Sequence, residues 1–337
     1  MSDTGTMLAN MTRRLFADTF DDDAMRTAAA GDWPRDAWDA IEAQSVPLAL
    51  VEGEQGFGVP LAEGLALVRL IGRHAVPLPL AETMVANALL ARAGLPVASG
   101  PVALIPDGIS LRQDGDGWRA SGRAERVAWG RNAAALIVAD SDKIALVTSG
   151  FRTTEQGTNL ANMPRDTVEL DSPADVAPLP GSLLEAGALV RALAMAGALE
   201  TVVELTIAHV TERVQFGRAL SAFQAVRHSL AQLASQAAAA SAAADLAADA
   251  FIGAGPAGIA IAAARARISE AAGIAIGIAH QLHGAIGFTE EHILHRYTLR
   301  ALAWRDDFGS ESYWAVELGK LVASRGADEL WPLVASR

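Results

Sequence analysis

The chain has 337 residues, 51% of them hydrophobic and 20% charged, with a formal net charge of −12 and no cysteine. That length supports two or three packed regions around a large core. An acidic balance with no basic run excludes the positive face that a nucleic-acid partner needs, and the lack of cysteine excludes disulfides and thiolate metal sites. Met1 to Thr6 show no basic stretch leading into an apolar one, so no secretory signal is read and a cytoplasmic protein is expected.

Residues 1–98 read as an amino-terminal helical domain. Arg35–Ala43 and Ala62–Arg73 are helical stretches, the second with Leu65, Val68, Leu70 and Ile71 near helical period. Pro77 and Pro79 interrupt the pattern and Glu82–Ala93 resumes it. Residues 99–180 read as a β-domain: Val102–Ile105, Trp118–Ser121, Ala134–Val138 and Lys143–Thr148 are short apolar runs separated by turn signals such as Pro106, Asp107 and Gly108. Residues 181–337 read as a carboxyl-terminal helical bundle, with helices over Leu183–Glu212, Ala222–Ala250, Ala257–His283 and Glu311–Ala323. Ile259–Ile278 is strongly apolar, but Arg265, Arg267 and Glu270 interrupt it, which suits a buried core helix better than a membrane span. Helices, then strands, then helices make an α+β chain.

Between two of these helices lies the most telling segment, Arg213 to Gln224. It reads as a helix end, a tight turn at Gly217 and a new helix start, with Ser221 and Gln224 in the spacing of a capping box. Arg213 could grip a pyrophosphate in bidentate fashion, and helix-start N–H groups favour anions. The pattern R-x-x-F-G-x-x-L-x-x-F-Q, with Phe216 at its centre, resembles the flavin-binding helix junction of the acyl-CoA dehydrogenase family. Gln281, Gly284, Gly287, Phe288 and Glu291 resemble that family's Q-x-x-G-x-x-G-F-x-x-E element, and Glu54, Gly56, Gly58, Gly72 and Arg73 its amino-terminal glycine and G-R segments.

The resemblance implies the acyl-CoA dehydrogenase fold, FAD as cofactor, an acyl-CoA substrate and an electron-acceptor flavoprotein. It implies cofactor contacts from Arg213, Phe216, Gln224, Gln281, His283, Gly284, Gly287 and Ser310, with the Arg213 junction reaching the flavin of a neighbouring subunit. The family's reaction is α,β-dehydrogenation: a base takes the α-proton and the β-hydrogen leaves to the flavin. The family's usual base is a Glu ahead of a Gly-Thr pair. Here Phe308 stands at that position, before Gly309 and Ser310, with Asp307 and Asp306 just upstream as the candidate catalytic residues. An alternative base position, on the helix before the flavin junction, falls near Gly187, with Glu185 two residues away. The family's flavin-touching T-E-P loop has no counterpart, and Ala128 and Trp129 replace its W-I-T-N wording.

Three readings follow: a dehydrogenase, either homo-oligomeric or paired with a longer homologous subunit; a non-catalytic partner completing a homologue's flavin site; or an oxidase or monooxygenase on the same fold. The short length and the wording from His283 to His292 resemble short subunits of bacterial heteromeric members, some acting on steroid side-chain thioesters. His283, His292 and His295 lack a recognised ligand spacing, so no metal is expected. Thr289 is expected to cap a helix beginning at Glu290 and Glu291.

Overall fold

The computed structural model describes residues 2–253 and 257–335. The chain forms two compact units, Met1–Val190 and Arg191–Arg337. The first opens with α1 (Asp3–Thr19), α2 (Asp22–Ala29), α3 (Arg35–Ala43), α4 (Leu61–Arg73) and α5 (Leu80–Arg92). Side chains cap the first two: Ser2 Oγ accepts from the Gly5 N–H and Asp21 Oδ1 from that of Ala24. Every residue of α5 from Leu80 to Leu90 is buried. Its one amide, Asn87, is matched by accepting from the Ala98 N–H and donating to the carbonyls of Pro47 and Ala98.

Seven strands follow: β1 (Val102–Ile105), β2 (Ile109–Asp114), β3 (Gly117–Ala128), β4 (Ala135–Asp140), β5 (Lys143–Val147), β6 (Phe151–Glu155) and β7 (Arg165–Pro178). They make one sheet in the order β1-β4-β5-β7-β3-β2, with β6 also paired to β7. Only β1 and β4 run parallel; the other pairs are antiparallel. Ile105, Leu136, Val138, Val147 and Val168 are among the side chains that fill its core. The four strands expected from sequence are present. β2, β6 and β7 were not expected, because Asp166, Glu169, Asp171, Pro173 and Asp175 give β7 the texture of a loop. Asp166 is nevertheless fully buried. It accepts from the Arg131 backbone N–H and guanidinium and from the Gly157 N–H, which pins the turn after β3. Trp129, in that turn with φ of 55°, is buried edge-on against Trp33 at 5.3 Å and is a core anchor.

Leu183–Glu212 form one 30-residue helix, α6, which belongs to the second unit from Arg191 onward. It is long and apolar enough to cross a membrane by composition, yet 83% of its most apolar window is buried, as in a core helix. The hairpin of β8 (Val214–Gln215) and β9 (Arg218–Ala219) leads into α7 (Gln224–Ile252) and α8 (Gly258–His283), then α9 (Leu294–Trp304), α10 (Glu311–Arg325) and α11 (Leu330–Ala335). α7 packs along α8, and its buried residues include Ala237, Ala240, Ala244 and Ala247. α9 starts at Leu294, so Thr289 is not its cap; the Thr289 hydroxyl donates to the Ile286 carbonyl instead. The polar run Thr289 to His292 holds a turn there, and Leu294 begins the helix because it is the first fully buried residue.

Candidate functional site

The segment from Arg213 to Gln224 is built differently from the sequence expectation. Arg213 follows the last residue of α6, its N–H bonded to the His209 carbonyl. Val214 pairs with Ala219 and Gln215 with Arg218, so the turn at Gly217 is a two-residue hairpin loop. Phe216 and Gly217 both take positive φ, 52° and 79°, the combination that matches the twist of a tight hairpin. Residues 220–222 then make one tight helical turn, and α7 begins at Gln224 without a side-chain cap. The capping box of Ser221 therefore does not form: the extra tight turn takes up the residues that would have been the first turn of α7. The first N–H groups of α7 are left without a side-chain acceptor, which suits an anion.

A groove of about 720 Å³ runs along this junction. Arg213, Gln215, Ala225, Val226, Gln281, His283 and Gly284 are among its walls. Of the sequence-predicted cofactor residues it thus gathers Arg213, Gln281, His283 and Gly284. Gln224 is exposed at the start of α7, next to the groove residues Ala225 and Val226. Phe216 caps the hairpin and is 89% exposed. Gly287 is buried: a Cβ there would lie 2.8 Å from that of His283. Gly284 ends α8 at φ 66° and ψ −146°, a backbone region only glycine enters readily. Ser310 is the N-cap of α10, its Oγ accepting from the Tyr313 N–H, and does not line the groove.

Two cations differ sharply in state. The Arg213 guanidinium makes no hydrogen bond or ion pair with the described residues, and Arg213 is exposed along the groove. Arg265 is wholly buried, and burial lowers its pKa to about 10. Its Nη2 donates to four carbonyls, those of Trp304, Arg305, Asp307 and Gly309, at 2.9–3.1 Å. One guanidinium therefore holds the turn in which the base was expected from sequence. In that turn the Asp307 carboxylate is 8% exposed and accepts from Arg191 Nε at 2.9 Å, while Asp306 is exposed. Arg191 also lies over the Trp304 and Phe308 rings. Phe308, with φ of 53°, accepts at its carbonyl from Trp314 Nε1. Glu185, near the start of α6, is half-buried, which raises its pKa. Arg191 and Arg265 were not singled out from sequence as site residues. The signal available for Arg265 was a cation inside the apolar run Ile259–Ile278, which, if buried, must be matched by buried acceptors.

A profile described as "Acyl-CoA dehydrogenase, C-terminal domain" matches residues 179–312, the stretch that contains both the groove and the base turn. The acyl-CoA dehydrogenase IpdE2 of Mycobacterium tuberculosis is 30% identical over 82% of this chain and 84% of its own. The chain belongs to the acyl-CoA dehydrogenase family. FAD is the cofactor of this class of oxidoreductase. The acyl-CoA dehydrogenase FadE34 of the same organism is also 30% identical, over 83% of this chain, which spans 41% of that longer protein. Among solved structures, a variant of the Tcur3481-Tcur3483 steroid ACAD superposes with a TM-score of 0.85 at 26% identity, covering 96% of this chain and 98% of its own. The ChsE4-ChsE5 complex of Mycobacterium tuberculosis shares the fold, with a TM-score of 0.83 at 20% identity over 96% of this chain and 98% of its own.

Proposed function

We propose that this chain serves flavin-dependent α,β-dehydrogenation of an acyl-CoA thioester as one subunit of a heteromer, and that it holds the pyrophosphate of FAD in the groove at the α6–α7 junction. The observation that carries this reading is Arg213, a guanidinium without a protein partner among the described residues, on the same groove as the uncapped start of α7. A cation beside exposed helix N–H groups is the donor set of a pyrophosphate, so the residues present fit the cofactor. Gln281 adds an amide that can donate and accept, and Gly284 leaves the groove floor without a side chain. When bound, the flavin accepts the two electrons withdrawn from the acyl chain.

The heteromeric part of the reading rests on the turn after α9. Phe308 occupies the family's Glu position, and Asp307 is engaged as the counter-ion of Arg191. A carboxylate in that state is a fixed anion, so a longer homologous subunit supplies the base. The steroid ACAD relative supports a bulky, steroid side-chain type of acyl-CoA as substrate, and a flavoprotein acceptor takes the electrons onward. A second reading keeps Asp307 as the chain's own base, favoured by the Gly309-Ser310 pair that follows it; Asp306 is then the alternate. It requires the carboxylate to leave Arg191.

Arg213→Ala tests the cofactor site. Loss of charge-assisted hydrogen bonds worth about 1.5–3 kcal/mol each weakens FAD retention roughly 10- to 100-fold, with helical content unchanged. Wild-type retention removes the assignment. Single-turnover flavin reduction by an acyl-CoA separates the two readings of the base. Asp307→Asn leaves reduction intact if a partner provides the base and lowers it by orders of magnitude if Asp307 does.

A further inference from the structure

Three histidines from three separate stretches of chain meet at one end of the groove. His209 lies in the last turn of α6, His283 ends α8, and His292 precedes α9. The His209 and His283 rings stack at 4.4 Å, and the His292 ring stands steeply inclined to both, 4.7 Å from His283 and 5.9 Å from His209. One ligating nitrogen of each lies within 4.8 Å of the others.

His283 carries the argument furthest. Its Nδ1 sits 2.8 Å from the Ala279 carbonyl, an acceptor only, so the ring proton resides on Nδ1. Nε2 is left as a bare lone pair, on a residue 6% exposed, with no hydrogen-bond partner among the described residues. A buried acceptor without a partner is costly. A ring whose N–H is tied to a backbone carbonyl while its other nitrogen is open is also the arrangement that orients a metal-bound histidine.

We propose that His209, His283 and His292 bind one first-row transition-metal dication, with Zn²⁺ as the reference ion and a fourth position open to water. Neutral imidazoles suit zinc, copper and nickel. Burial, helped by the neighbouring rings, lowers the pKa of His283 to about 4, and burial also lowers those of His209 and His292, so all three offer lone pairs at neutral pH. Zinc–nitrogen bonds of about 2.0–2.1 Å put tetrahedral ligand atoms roughly 3.3 Å apart, so loading draws the ligand atoms together by up to about 1.5 Å and turns His209 out of its stack on His283 so that the in-plane lone pairs converge. His209 and His292 are only half-buried and can make that movement. His292 Nδ1 accepts from the Leu294 N–H at 3.1 Å; coordination either takes over that lone pair or moves the ring proton to Nδ1 and uses Nε2. Around His209, Glu212 favours a positive charge and Arg213, the stronger of the two, opposes it.

The bound ion ties the end of α6 to the end of α8 and to the loop before α9. It thereby fixes the backbone that carries Arg213 and Gln281. The ion needs only these three rings and no bound cofactor, and His209 and His283 also line the groove.

The test uses full-length, tag-free protein stripped with a chelator and titrated with Co²⁺ and Zn²⁺. The expected result is one Co²⁺ per chain with the visible absorption of a four-coordinate ion, displaced by Zn²⁺. His209→Ala and His292→Ala each weaken binding at least about tenfold, and His228→Ala, an exposed histidine elsewhere on α7, does not. Zinc raises the thermal midpoint of the wild type and not that of His292→Ala, a readout that also shows whether the variant folds. Absence of Co²⁺ absorption in the wild type overturns the proposal, as does unchanged stoichiometric binding in the His209→Ala, His292→Ala double variant.

Discussion

Arg265→Met removes the guanidinium that holds the base turn and keeps most of the side-chain stem. Four carbonyls then lose a charged donor they meet at 2.9–3.1 Å. Nη2 carries two hydrogens, which the four carbonyls share, so at about 1.5–3 kcal/mol for each charged hydrogen bond the loss is roughly 3–6 kcal/mol. Against this stands the cost of burying the cation. The fall of its pKa from 12.5 to about 10 converts at 1.36 kcal/mol per decade to about 3 kcal/mol. The carbonyls of Arg305, Asp307 and Gly309 belong to half-buried residues and can turn toward water in the variant, which favours the lower end of the range. Set against the cost of burial, the net expectation is a loss of about 1–3 kcal/mol. Urea unfolding followed by far-UV circular dichroism, at fixed protein concentration and saturating FAD, measures it. Arg265→Lys is the control: it keeps the charge, but an ammonium cannot span four carbonyls, so it recovers less than half of the loss. If Arg265→Met lies within about 0.5 kcal/mol of wild type, the guanidinium does not organise this turn.

Gly287→Ala places a methyl group 2.8 Å from the His283 Cβ and 3.4 Å from Leu294 Cδ2. It should destabilise the protein by about 1–3 kcal/mol and weaken FAD retention, as thermal denaturation and flavin titration would report; wild-type behaviour in both would remove the packing role. Stability should also fall as pH drops from 6.5 towards 4. The His283 pKa is lowered from 6.5 to about 4, and those of His74, His209, His280 and His292 move the same way, so the unfolded chain binds more protons in this window. The contribution is complete above pH 6.5 and gone below about pH 4, and His283 alone accounts for up to about 3 kcal/mol. Glu185, with its raised pKa, works in the opposite direction and only at the acid end of the window. Unfolding of chelator-treated protein between pH 7 and 5 tests this: His283→Gln should flatten the slope, and a wild-type stability that does not fall would contradict it.

Much of the architecture was legible without coordinates. Arg35–Ala43 and Leu183–Glu212 match α3 and α6 to the residue, because capping, proline breaks and apolar period all act within a few residues of chain. β7 was missed because its acidic residues are matched by groups distant in sequence: Asp166 by Arg131, Asp171 by Arg119, and Glu169 by Arg152. The capping box at Ser221 was misread because the local pattern suits a cap, while the hairpin before it decides where the helix can begin.

The sequence by itself determined the layout of helices, then strands, then helices and the family, since both are carried by short patterns such as the one from Arg213 to Gln224. Only the tertiary structure decided the state of each charged or polar group. It joined Arg191 to Asp307 across 116 residues of chain, wrapped Arg265 in four carbonyls, left the Arg213 guanidinium on a groove without a partner among the described residues, and brought His209, His283 and His292 together. The physical reason is range. Backbone propensity and amphipathic period are set by near neighbours in the chain, whereas desolvation and ion pairing depend on what the fold places within a few ångströms.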